Sequence, residues 1–124
     1  MRTHQEDCTA QTRAALDFVD ITDQVQSVLD GCDFGRGQMT LFIESPSCAL
    51  LVNERETGLL EDIRITLERL ETGTARDRKA LLGSSSVVLP VVDGRLHLGS
   101  WQRVLLVELG EPGMRKVTVQ MVGE

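Results

Sequence analysis

At 124 residues the chain is long enough for one domain with its own core, and 41% apolar residues place it among globular proteins. Nineteen acidic against thirteen basic side chains give a net charge of −6, which argues against the basic stripe of a general nucleic-acid surface. No apolar run approaches the roughly 20 residues that span a bilayer, and the polar start M-R-T-H-Q-E-D-C lacks the apolar core of a signal peptide, so the cytoplasm is the expected location.

Cys8, Cys32 and Cys48 form an odd set without C-x-x-C spacing, which argues against a disulfide framework or a zinc site. His4 and His97 are the only histidines, so no His-rich metal site is expected within one subunit. Phe18, Phe34, Phe42 and Trp101 are the only aromatics, and the core must be aliphatic.

Taken in order, residues 1–11 are polar and expected to be loosely ordered. Ala14, Leu16 and Phe18 alternate with polar neighbours, predicting a first strand from Arg13 to Val19. Thr22 suits a helix N-cap, with Ile21, Val25, Val28 and Leu29 on one face and Gly31 as the stop. A strand is predicted over Gln38 to Ile43 with Met39, Leu41 and Ile43 on one side, and another over Cys48 to Val52, apolar on both faces.

Gly58 to Leu70 carries the clearest helical stripe, Leu59, Leu60, Ile63, Leu67 and Leu70, ended by Thr72-Gly73. Thr74-Ala75-Arg76-Asp77 then resembles a capping box opening a short helix to Leu82. Asp93-Gly94 between two apolar runs predicts a two-residue hairpin turn. In that register Val92 faces Arg95 and Val91 faces Leu96, with Leu89, Val91, Leu96 and Leu98 on the core face. Gly99 suggests a bulge that re-aims Trp101 or Gln102. Val104 to Leu109 must be covered on both faces, by a helix of the same chain or by a neighbouring subunit, and Lys116 to Val122 is a last strand. The predicted fold is a single α+β domain over residues 1–124, a twisted antiparallel sheet or two-layer sandwich with two to three helices packed on it.

The frame P-V-V-D-G-R-L-H-L-G-S-W-Q, residues 90–102, resembles the signature of the YjbQ family, described as secondary thiamine-phosphate synthase enzymes. The resemblance implies a fold of this kind, a homotrimer, and a reaction that joins the pyrimidine of a pyrimidine diphosphate to a thiazole phosphate, the diphosphate leaving as pyrophosphate. Counting back from Asn53-Glu54 places the family's His-Thr-Ser/Thr-Ala tetrad on Ser45, Pro46, Ser47 and Cys48, so Ser45 stands where the histidine is expected. Asn53, Glu54 and Asp62 match the family. Ala75-Arg76 stands where an Ala-His pair is expected, and of the arginines in the family's Pro-Arg-x-Arg only Arg115 remains.

A leaving diphosphate needs cations or backbone donors. Glu54, Asp62 and Arg76 are therefore the candidate catalytic groups, with Glu54 or Asp62 as possible Mg²⁺ holders. Ser47, Asn53, Trp101, Gln102 and Arg115 are the candidate substrate-binding groups, and Gly83-Ser84-Ser85-Ser86 offers backbone N–H groups. No metal ligand set is assigned. The expected partners are other copies of the chain and a phosphorylated small molecule, with neither nucleic acid nor membrane. The other reading is a non-catalytic or ligand-binding homotrimer, because proton transfer near neutral pH usually relies on a histidine. Acids such as Asp62 and Glu54 on a charged surface are more often solvated than catalytic, and Gly83 is well explained as a helix terminus.

Overall fold

The computed structural model describes residues 1–70 and 74–124; the Thr72-Gly73 helix stop lies outside them. The chain runs β1 (Arg2–Gln11), β2 (Asp17–Asp20), α1 (Thr22–Cys32), β3 (Arg36–Ile43), β4 (Cys48–Glu54), α2 (Thr57–Arg69), α3 (Ala75–Leu82), β5 (Ser86–Val92), β6 (Arg95–Leu96), β7 (Gln102–Glu108) and β8 (Met114–Gly123). Two antiparallel sheets result, ordered β1-β8-β3-β5-β6 and β2-β7-β4. This is the expected α+β sandwich.

The main core lies between the sheets. Met39, Leu41, Ile43, Leu89, Val91, Val117, Val119 and Met121 of the first sheet meet Cys48, Leu50, Val104 and Leu106 of the second. The second sheet has only three strands, and Val25, Val28 and Leu29 of α1 complete the same core. On the far face of the second sheet, Ala49, Val107 and Leu109 pack with Leu67 of α2 and with Ala75 and Leu82 of α3. β7 is thus covered on both faces within one chain, which settles the covering of its two-sided apolar run. Of the predicted α2 stripe only Leu67 is buried; Leu59, Leu60, Ile63 and Leu70 are half-buried.

The hairpin has the predicted register, Val91 against Leu96 and Val92 against Arg95. Asp93 at φ 52° and Gly94 at φ 73° make the positive-φ pair that matches strand twist. Leu89 and Val91 are buried, and Leu96 and Leu98 pack on the core. Pro90 turns its carbonyl toward the β6 side, where it accepts from His97 N–H at 2.9 Å, and its missing N–H falls just past the last β5–β6 pair, Val91 with Leu96.

Four expectations are corrected. Residues 1–11 are not loose: β1 pairs along its whole length with β8. An edge strand can be this polar because only Cys8 and Ala10 need turn inward. The first predicted strand is short, since Leu16 at φ 60° breaks extension before Asp17 and leaves Ala14 exposed. Thr22 is not the α1 cap; Asp20 Oδ1 accepts from its N–H at 3.0 Å while Thr22 Oγ1 accepts from Val104 N–H at 2.7 Å. Finally, α1 runs past Gly31 and ends at left-handed Asp33. Thr74 caps α3 as expected, accepting from Asp77 N–H at 3.2 Å.

Candidate functional site

The predicted site residues separate into distinct places. Glu54 and Gln102 are directly paired at one end of the β4–β7 ladder, and Asn53 is paired with Arg103 beside them. Ser47 and Arg115 meet at the other end, beyond the Cys48–Glu108 pair. Six residues of strand, about 20 Å at about 3.4 Å per residue, separate the two ends. Asp62 belongs to neither: it sits at the rim of an apolar groove of about 420 Å³ lined by Ile63, Leu67, Leu70, Leu81 and Leu82. Arg76 is exposed on α3 and makes no ion pair among the described residues. The three candidate catalytic groups therefore do not share one cavity within the chain.

The Trp101 end is a cleft of about 760 Å³ lined by Glu54, Arg55, Glu56, Ser100, Trp101 and Arg103. The expected bulge at Gly99 is instead a closed turn. Gln102 N–H donates to Gly99 O at 3.0 Å, and Gln102 Oε1 accepts from Gly99 N–H at 2.8 Å. Gln102 is thus a clamp for the turn, and Trp101 stands out from it with 77% of its surface exposed. Asn53 is likewise occupied, its Oδ1 accepting from Glu54 N–H at 2.7 Å.

Arg103 is held by Asp20 and Asp23 at 2.8 and 3.1 Å, whereas Arg55 lies 3.8 Å from Asp20 with a mostly exposed side chain. Burial pushes the Asp20 carboxyl up, but the Thr22 N–H and the Arg103 guanidinium outweigh it and leave it below the usual carboxylate range.

The Ser47 end is organised by a residue the sequence reading passed over. Glu108 is fully buried on the inter-sheet face. Its Oε1 accepts from Thr12 Oγ1 and Arg115 Nε, each at 2.7 Å. Its Oε2 accepts from Ser47 Oγ at 3.1 Å, Cys48 Sγ at 3.3 Å and Gly110 N–H at 3.2 Å. Burial raises the Glu108 carboxyl, yet Arg115 and the other donors reverse the sign and hold it below its ordinary value.

The same burial pushes the Cys48 thiol up, and its bond to the carboxylate adds to that. Such a thiol is a poor nucleophile. Ser47, Cys48 and Arg115 thus brace a carboxylate. The available signal was an acid at a core-facing position of an apolar run, with an arginine seven residues on to answer it.

Two of the backbone donors of the serine loop are spent locally: Gly83 N–H donates to Lys79 O at 3.1 Å and Ser86 N–H to Ser84 Oγ at 3.0 Å. Among the described residues, no three His, Cys, Asp or Glu side chains stand close enough to hold a metal ion. No helix among them is long and apolar enough to cross a membrane.

With this geometry in view, a family profile described as "UPF0047 protein YjbQ-like" matches residues 6–124. The chain belongs to the YjbQ family. A UPF0047 protein of Archaeoglobus fulgidus is 38% identical over 124 residues, covering 90% of this chain and 96% of its own. One of Methanothermobacter thermautotrophicus is 26% identical over the whole chain and 95% of its own length. A crystal structure described as a YbjQ-like protein of unknown function from Sulfolobus solfataricus P2 superposes with a TM-score of 0.90 at 31% identity, covering 99% of both chains. A hypothetical protein from Aeropyrum pernix K1 does so with a TM-score of 0.87 at 30% identity, over 98% of this chain and 99% of that one. These YjbQ relatives support the α+β sandwich across nearly the whole chain.

Proposed function

We propose that this YjbQ protein is a non-catalytic, ligand-binding homotrimer that takes a small phosphorylated aromatic molecule in the Trp101 cleft. The observation that carries the reading is Trp101 itself, a large aromatic face left in water on a clamped turn. An exposed indole stacks with a planar ring, and the exposed Arg55 guanidinium that lines the same cleft can bind a phosphate in a fork of two hydrogen bonds. Glu54 and Glu56 add acceptors for amino groups on the ring. Catalysis is not supported to the same degree. Glu54, Asp62 and Arg76 lie apart, and the family's tetrad position holds side chains committed to Glu108.

Trp101 is the only tryptophan, so its fluorescence reports on the cleft directly. Titration with thiamine monophosphate is expected to give a saturable change that Arg55→Ala weakens at least tenfold. No saturable change up to millimolar ligand would remove the binding reading. Turnover of pyrimidine diphosphate and thiazole phosphate above background, with a family enzyme as control, would restore the transferase reading. Light scattering tests the trimer.

A further inference from the structure

Between α2 and α3 lies a groove of about 420 Å³, walled by Ile63, Leu67 and Leu70 on one side and by Leu81 and Leu82 on the other. α3 is held to the second sheet by Ala75 and Leu82. Leu81 has no such role and keeps 63% of its surface in water. Only Thr66 and Asp62 interrupt the aliphatic lining. Beyond the rim Glu61, Glu68, Arg69 and Asp77 are all exposed, so the apolar surface stops at the groove itself.

A cation without a counter-ion stands on the same side. Arg78 precedes Leu81 and Leu82 by one helical turn, which sets it on the face of α3 that carries both leucines. Arg78 is half-buried, and its Nε, out of water, meets no acceptor among the described residues. Neither Arg78 nor Arg69, at the end of α2, forms an ion pair among them. A guanidinium partly stripped of water and left unpaired is stabilised by an incoming anion, and a carboxylate meets it in a fork of two hydrogen bonds.

We propose that this groove binds an unbranched alkyl chain ending in a carboxylate, the chain against the leucines and the carboxylate on Arg78. Asp62 to Leu70 spans about 12 Å of helix at about 1.5 Å per residue, room for an extended chain of about eight carbons. A partner helix, about 10 Å across, would fill roughly 900 Å³ over that length, about twice what the groove holds. A second copy of the chain fits no better. A stable interface takes about 800 Å² from each partner, and a few aliphatic side chains ringed by charge fall short of that. Asp62 at the rim repels an anion, which leaves the Arg78 side for the head group. No lining residue is shared with the Trp101 cleft, so the two sites can be tested apart.

Calorimetric titration of the full chain with hexanoate and octanoate provides the test, with octanol as the uncharged probe. Octanoate is expected to bind about fifteenfold tighter than hexanoate, about 0.8 kcal/mol for each of the two further methylenes. Octanol is expected to bind about tenfold more weakly than octanoate. Arg78→Met is expected to bring octanoate down to the octanol level and to leave octanol unchanged. Leu81→Asp, at an exposed position, is expected to abolish both at unchanged circular dichroism. Should either variant fail to fold, methyl NMR of the unaltered chain decides, with octanoate expected to shift Ile63, Leu70, Leu81 and Leu82 but not the Trp101 indole. No saturation in the millimolar range, equal affinity for octanoate and octanol, or shifts scattered over the surface would overturn the proposal. A fall in the mass of Leu81→Asp by light scattering would overturn it too, since a second copy would then be the occupant.

Discussion

Arg115→Met tests the bracing role of Glu108 most directly. The substitution keeps the aliphatic stem and removes the guanidinium whose Nε lies 2.7 Å from a fully buried carboxylate. Losing one partner of a buried ion pair costs roughly 3–5 kcal/mol. The remaining donors from Thr12, Ser47, Cys48 and Gly110 soften this. Protonation also sets a ceiling: moving a carboxyl from its ordinary value of about 4.3 to neutral at pH 7 costs about 3.7 kcal/mol, at about 1.36 per pH unit. A loss of about 3 kcal/mol at pH 7 is expected. With a urea slope of about 1.5 kcal/mol per M, the midpoint falls by about 2 M.

The pH dependence gives the sharper check. Because the folded Glu108 carboxyl lies below its unfolded value, its contribution is full above about pH 4.3 and is lost as pH falls through the folded value. Without Arg115 the folded carboxyl rises, so the deficit of the variant shrinks as pH falls toward 4. Urea titrations at pH 7 and pH 4 read both numbers, and the double variant Glu108→Gln, Arg115→Met is expected to recover more than half the loss. A midpoint change under about 0.3 M at pH 7, or an equal deficit at both pH values, would refute the reasoning.

Gly37→Ala is expected to be among the most damaging single changes. At a φ of +151° its Cβ would overlap Val122 O and Gly123 Cα, both backbone atoms of β8, which leaves no easy relief. A loss above about 3 kcal/mol, or insoluble protein, is the expected outcome. Asp20→Asn should lower stability by about 1–2 kcal/mol at pH 7, an effect that vanishes as pH falls through the lowered Asp20 value and the wild-type carboxylate is protonated too. A pH-independent difference would contradict this. Cys8 and Cys48 are both buried with thiols pushed up by burial; a disulfide reagent should modify them at least a hundredfold more slowly in native protein than in urea. Comparable rates would show that the sandwich opens freely.

Much of the scaffold was legible because one-dimensional periodicity records which face of an element is buried. Met39, Leu41 and Ile43, the two-faced run of β7 and the Asp93-Gly94 turn all follow from alternation and turn chemistry. β1 was not legible, since R-T-H-Q-E-D is as polar as a disordered tail and is ordered by backbone bonds to β8, which side chains do not announce. The structure brings the expected site residues together only in parts. Glu54 and Trp101 do share a cleft, but Asp62 and Arg76 point elsewhere, because helix and strand positions adjacent in a motif can face different surfaces.

Residue order by itself determined the class of fold, the hairpin and its register, and the family, since these rest on local patterns that survive in any environment. Tertiary structure alone decided that Ser47, Cys48, Thr12 and Arg115 converge on Glu108, drawing on segments up to 103 positions apart in the chain (Thr12 and Arg115). A buried charge is tolerated only where several donors meet it at once, and no local stretch of sequence can state that meeting.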